Sequence, residues 1–284
     1  MKRRISTAFF TAKEEFLNLI EQAYNQLSGK ISYAQGWIQK FLPEQSKQFH
    51  PILKLKRYLE TEVPPVAIKL ARREVDIPEE IKELDKPMFY CGMLKYAMQG
   101  NVFFAKGDVH TCKRGAARLG LCEIPNDELD GSFYVNKASV SSPRGAWRFV
   151  NEAPRLDARS IIATVMAPLE KATFDPDVVI IETIPRKAFE LMQASIFDTG
   201  GKFVSWLSAP YELCGFSTVR PYLYGKMNIA IACEFARMAA KSLNDKYLDE
   251  GVIVGIPGEM LQTVVENYPK IGYVKKRLFP EGAK

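Results

Sequence analysis

Five cysteines and two histidines hold most of the nucleophilic and metal-ligating chemistry open to this chain of 284 residues. Cys91 and Cys112 have 20 residues between them, Cys214 and Cys233 have 18, and the two pairs are offset by 123 and 121 positions. In each pair a helical pattern follows the first cysteine and a glycine ends it (Gly100, Gly225). A strand-like run, 101–105 or 228–232, then leads up to the second cysteine. That correspondence points to a repeated unit. The thiolate, not the thiol, attacks electrophiles and binds metals, so each cysteine matters through its pKa. Cys112 opens Cys-Lys-Arg-Gly-Ala-Ala-Arg, which reads as a helix start. Backbone N–H groups there, with Lys113 and Arg114, are expected to lower its pKa. The bland reading of any single cysteine is a small buried apolar side chain.

With only His50 and His110, a site of two or three histidines is out of reach. A Cys–His nucleophile would have to use one of the two. His110 lies two residues from Cys112, a poor geometry for a direct base, and reads as a surface side chain. Gly-x-Gly-x-x-Gly, the phosphate-binding Gly-x-x-x-x-Gly-Lys-Ser/Thr, His-Glu-x-x-His and Cys-x-x-Cys are absent, which argues against nucleotide-dependent, zincin and zinc-ribbon chemistry.

The elements that must position the cysteines have two textures. Residues 1–59 read as a helical extension, with Phe16, Leu17, Ile20, Ala23, Tyr24 and Leu27 at spacings of three and four. An apolar helical face outside the main core is expected to pair with a second copy of the chain, giving a homo-oligomer. From residue 64 short apolar runs alternate with helical patterns. Strands are expected at 66–70, 101–105, 161–166, 178–181, 203–207, 228–232 and 252–254, with helices at 188–197 and from Pro257 onward. The expectation is an α+β fold of two similar mixed subdomains, 60–150 and 151–284, behind the N-terminal helices.

Composition narrows the class without choosing a function. The chain is 47% hydrophobic and 25% charged, which excludes disordered, collagen-like and disulfide-scaffold readings. A net charge of +6 with no block of like charge makes nucleic acid an unlikely partner. No apolar run reaches the length of a membrane span. The basic start Met1-Lys2-Arg3-Arg4 is followed by a short apolar stretch broken by Lys13, Glu14 and Glu15, so export is not expected and the cytoplasm is. In a reducing compartment five cysteines, an odd count, favour free, catalytic or metal-bound thiols over disulfides.

The run Pro64-Pro65-Val66-Ala67-Ile68-Lys69, then Tyr90-Cys91, Gly100, Cys112 with Gly115, and Leu119-Gly120-Leu121 resembles the prokaryotic family catalogued as domain of unknown function 169. Asp175-Pro176-Asp177, Cys214 with Arg220-Pro221-Tyr222-Leu223, Cys233 with Arg237, and Gly255-Ile256-Pro257 follow in that family's order. The resemblance spans residues 60–268 and brings no activity with it. It implies cysteines in the pattern at Cys91, Cys112, Cys214 and Cys233, with Cys122 outside it. Where the family commonly has small residues after the second cysteine this chain has Lys113-Arg114, and where it commonly has Asn-Gly after the fourth it has Glu234-Phe235.

Four matched cysteines in two similar pairs suit a four-thiolate site, an iron–sulfur cluster of the 4Fe-4S type or, as the alternative, zinc. A cluster implies electron transfer or a redox-linked reaction, with a redox partner protein. Lys113, Arg114 and Arg237 are expected to offset the cluster's negative charge, Arg237 because it lies four residues after Cys233 on a helix. Two other readings stay open: an enzyme with a reactive Cys112 thiolate, and a metal-free module that binds a small molecule or nucleic acid.

Overall fold

Val66–Ala71, Ala163–Pro168, Val178–Thr183 and Val252–Pro257 are almost wholly buried runs rich in β-branched residues, and they form the middle of one six-stranded sheet. The structure, a computed structural model, describes residues 54, 55, 58–207 and 213–280. The strands are β1 (Val66–Ala71), β2 (Phe103–Lys106), β3 (Ala163–Pro168), β4 (Val178–Thr183), β5 (Asn228–Ala230) and β6 (Val252–Pro257), ordered β2-β3-β1-β4-β6-β5. Every pairing is antiparallel. The protein is α+β. The helices are α1 (Tyr90–Met98), α2 (Lys113–Arg118), α3 (Asn126–Leu129), α4 (Ser132–Asn136), α5 (Pro143–Glu152), α6 (Pro185–Ile196), α7 (Arg220–Tyr224, preceded by a π-helical turn at Gly215–Val219), α8 (Glu234–Lys241), α9 (Gly258–Asn267) and α10 (Gly272–Leu278).

Pairing registers show an internal two-fold relation. Val66 to Ala71 oppose Pro168 to Ala163, just as Val178 to Thr183 oppose Pro257 to Val252. Phe103 and Ala105 oppose Met166 and Thr164, as Asn228 and Ala230 oppose Gly255 and Ile253. Between the two sets Ala67 faces Val179, flanked by Val66 with Ile180 and Ile68 with Val178. An approximate two-fold axis through the Ala67–Val179 pair, normal to the sheet, therefore exchanges β1 with β4, β2 with β5 and β3 with β6. Antiparallel partners point to the same side, so both sets present equivalent elements on one face. The expected boundary at residue 150 falls inside α5, ahead of β3. β3 completes the first set, so the two sets of the sheet meet between Pro168 and Val178.

Alternation along the strands separates the two faces. Ile68, Val178, Ile180 and Ile253 face the side covered by α1, α7 and α8. Ala67, Val179, Ile181, Val254 and Ile256 face the side covered by α6, α9 and α10. Residues 203–207 do not form a strand. They run beside β5, where the Asn228 side chain donates to the Trp206 carbonyl and accepts from the Trp206 N–H, closing a sheet edge. The helices expected over 1–59 lie outside the described residues, except that Leu55, Tyr58 and Leu59 are buried on the α6, α9 and α10 side. The oligomer contact assigned to those helices lies outside them too. No helix of the described residues is long and apolar enough to cross a membrane.

Candidate four-cysteine site

All four matched cysteines stand at the starts of helices on one face of the sheet. Cys91 is in the first turn of α1, Cys112 caps α2, Cys214 precedes the π-helical turn that leads into α7, and Cys233 caps α8. The two-fold axis relates Cys91 to Cys214 and Cys112 to Cys233, because α1 and α7 precede equivalent strands and α2 and α8 follow them. The helices then pack crosswise, α1 on α8 and α2 on the turn before α7. That exchange draws both pairs to the axis, and Cys91, Cys112, Cys214 and Cys233 line a single cavity of about 370 Å³.

A Cβ on Gly115 would stand 3.5 Å from the sulfurs of both Cys112 and Cys214, so those sulfurs lie within twice that distance of each other across a position left empty by glycine. On the other diagonal the Cys91 thiol donates to the Phe235 carbonyl at 3.9 Å, two residues past Cys233. Among the described residues no three His, Cys, Asp or Glu side chains are close enough to hold a single ion. Cys122 does not line the cavity; its thiol donates to the Lys113 carbonyl at 3.7 Å.

Burial dominates the electrostatics. It pushes the thiols of Cys91, Cys112 and Cys233 up, and at Cys91 the neighbouring Cys233 and Cys112 push further the same way. The lowered pKa expected for Cys112 is thereby corrected. The Gly115 N–H, 3.3 Å from the sulfur, and Arg114 do favour the thiolate, but desolvation outweighs both. Lys113 lines the cavity, and its ammonium donates to the Gly107 carbonyl at 3.3 Å. His110 is fully buried rather than on the surface, and burial lowers its pKa to about 4, so it stays neutral at pH 7.

Lys113 and Arg114 line the cavity, and Arg237 does not. Its guanidinium meets Asp249 at 3.4 Å. Same-face spacing of four residues holds only between residues that are both helical, whereas Cys233 is a cap with extended backbone, φ −73° and ψ 173°. Arg237→Met is accordingly expected to change stability by no more than about 0.5 kcal/mol and to leave metal content as in wild type, read by thermal melting and elemental analysis.

Sequence patterning missed the residues that hold Cys91 in place. The Tyr247 hydroxyl donates to the Cys91 carbonyl at 2.6 Å, and the Tyr247 ring lies 4.7 Å from the Lys95 ammonium. Lys95 is buried one turn after Cys91 and pairs with buried Glu182 at 2.6 Å, whose other oxygen accepts from the Leu248 N–H. A lysine within the apolar face of α1 and a glutamate within β4 were the available signals, since buried charges require partners.

The DUF169 family, described as an uncharacterised ArCR, matches residues 54–267, which contain all six strands and the four cysteines. The chain is a member of the DUF169 family. The uncharacterized protein MJ0308 of Methanocaldococcus jannaschii is 31% identical over 215 residues, covering 75% of this chain and 90% of that protein. No solved structure matches the chain at a significant level. The DUF169 match ends at the last residue of α9, so α10 lies beyond it.

Proposed function

We propose that this DUF169 protein binds an iron–sulfur cluster through Cys91, Cys112, Cys214 and Cys233 and acts in electron transfer or a redox-linked reaction, exchanging electrons with a partner protein. The observation that carries the reading is the convergence of two axis-related cysteine pairs on one cavity. The donor set fits. Four thiolates buried without a cation would repel one another strongly, and burial already disfavours the charged form at Cys91, Cys112 and Cys233. A tetrahedral zinc needs each sulfur about 2.3 Å from one point, whereas a cluster places several atoms between its four thiolates and takes ligands from both halves of the fold. Lys113 and Arg114 at the rim would offset a cluster's net negative charge. The reactive-thiolate reading is the weaker one, because burial raises the Cys112 thiol and the site holds no partner base for it among the described residues lining the cavity.

Iron and sulfide analysis of anaerobically purified protein, with its visible absorption spectrum, tests the proposal. About four irons with matching sulfide is the expected result; stoichiometric zinc or no metal would refute it. A pH series adds a signed expectation. Burial raises the thiols of Cys91, Cys112 and Cys233, so binding as thiolates releases protons and apparent affinity rises with pH. Iron retention is expected to fall as the pH is lowered below neutrality.

A further inference from the structure

We propose that the four-cysteine cavity also holds a small anion, a carboxylate- or phosphate-bearing molecule, bound by Lys113, Arg114 and Lys137. As a redox substrate site this rests on the cluster reading; as an anion site it rests on different side chains and stands alone. The cavity lining contains those three cations and no carboxylate. Its volume, about 370 Å³, lies in the range of small-molecule sites.

The positive charge is confined to one side of the two-fold axis. Lys113-Arg114-Gly115 follow Cys112, while the related positions after Cys233 are Glu234-Phe235-Ala236. Glycine leaves room beside the sulfurs on the first side, where the second carries a methyl group. The first set also has an insertion, residues 122–156 with α3, α4 and α5, where the second set joins β5 to β6 with α8 and a loop. This insertion brings Phe133 and Lys137 to the cavity. It is a built element with its own small core of Tyr134, Ala146 and Val150. The buried Arg118–Glu128 pair, at 2.5 Å, fastens it to α2, and Arg118 also donates to the Ala153 carbonyl at 3.3 Å. Arg118, one of the cations near Cys112, thus serves the insertion and not the sulfurs.

Arg114 is set in place before any ligand arrives. Its guanidinium carbon lies 3.4 Å from the centre of the Phe133 ring and its terminal nitrogen pairs with Asp127. Its Nε–H is buried without an acceptor. A planar guanidinium stacked on an aromatic ring with an unused donor is the arrangement that recognises carboxylate or phosphate. Lys137 is exposed and adds a further cation to the cavity lining.

Calorimetric titration of the full chain with inorganic phosphate and with succinate tests this, alongside Lys137→Ala, Arg114→Lys and the control Lys202→Ala, an exposed lysine absent from the lining. The expected result is saturable millimolar or tighter binding of one probe, weakened about tenfold by Lys137→Ala and Arg114→Lys and unchanged by Lys202→Ala. The preferred probe identifies the head group. Lys137 is exposed, so its truncation tests binding without endangering the fold. No saturable binding of either probe, or equal weakening by Lys202→Ala, overturns the proposal. Iron measured on the same samples separates the two readings, since anion binding by protein lacking iron retains this site and removes the cluster.

Discussion

Alanine at any one of Cys91, Cys112, Cys214 or Cys233 is expected to cut the iron content of anaerobically purified protein several-fold, while Cys122→Ser leaves it at the wild-type level. The four share one cavity and Cys122 is engaged elsewhere, with the Lys113 carbonyl. Each thiolate removed leaves one metal position to water and takes away a quarter of the ligand set, whereas serine at 122 touches no ligand. Since metal binding contributes to folding free energy when the site forms only in the folded chain, the four variants are also expected to melt lower than wild type purified the same way. Melting the variants and wild type after chelation separates ligand loss from damage to the fold: the gap should close once metal is gone. Wild-type iron in Cys112→Ala or Cys214→Ala, whose sulfurs flank Gly115, would be incompatible with a four-thiolate site.

Gly255→Ala is expected to cost more than about 3 kcal/mol, beyond the usual cost of an overpacked core. A Cβ there would stand 1.8 Å from the Ser217 carbonyl oxygen, and a backbone atom cannot swing aside as a side-chain tip can. The axis-related position is Met166, a large residue, so the two sides differ in how closely their helices approach the sheet. The turn 215–219, widened to π-helical geometry directly after Cys214, sits against the sheet at Gly255, so a shift of Ser217 is expected to disturb the position of Cys214. Urea unfolding, read as a fall in midpoint, measures the cost. Gly272→Ala is the control: a Cβ there meets nothing within 4 Å, and its effect should be small. A Gly255→Ala midpoint equal to wild type would mean that helix and strand are not in contact there.

Much of the fold is written locally. The β-branched runs at 66–70, 178–181 and 252–254 mark three central strands, and Gly100, with φ of 101°, ends the region of α1 where expected. The paired cysteine spacing was also legible and corresponds to the two-fold register. What local pattern cannot contain is the closure of the sheet: whether β3 belongs with β1 or with the strands after it depends on a pairing across about 100 residues of chain. Desolvation was equally hidden. Cys112 has the cap, the donor and the cations that lower a thiol's pKa, and only its depth in the fold reverses the sign. Arg237 stands outside the cavity lining for a geometric reason, the cap being outside the helical ladder. Residues 203–207 carry a strand-like composition, but the polar Asn228 side chain replaces backbone pairing at that edge.

The two-fold axis runs along a seam. Either three-strand set by itself would carry two thiols and leave β1 or β4 as an open edge, so each is half of a site and half of a sheet. A chain of this kind has the form of two fused copies of one unit, with the insertion at 122–156 added to only one of them. The proposed cluster would span the seam and cross-link the halves, in addition to the hydrogen bonds of β1 with β4. On that proposal occupancy of the cavity and cohesion of the sheet are linked, and loss of the cluster is expected to loosen β1 from β4.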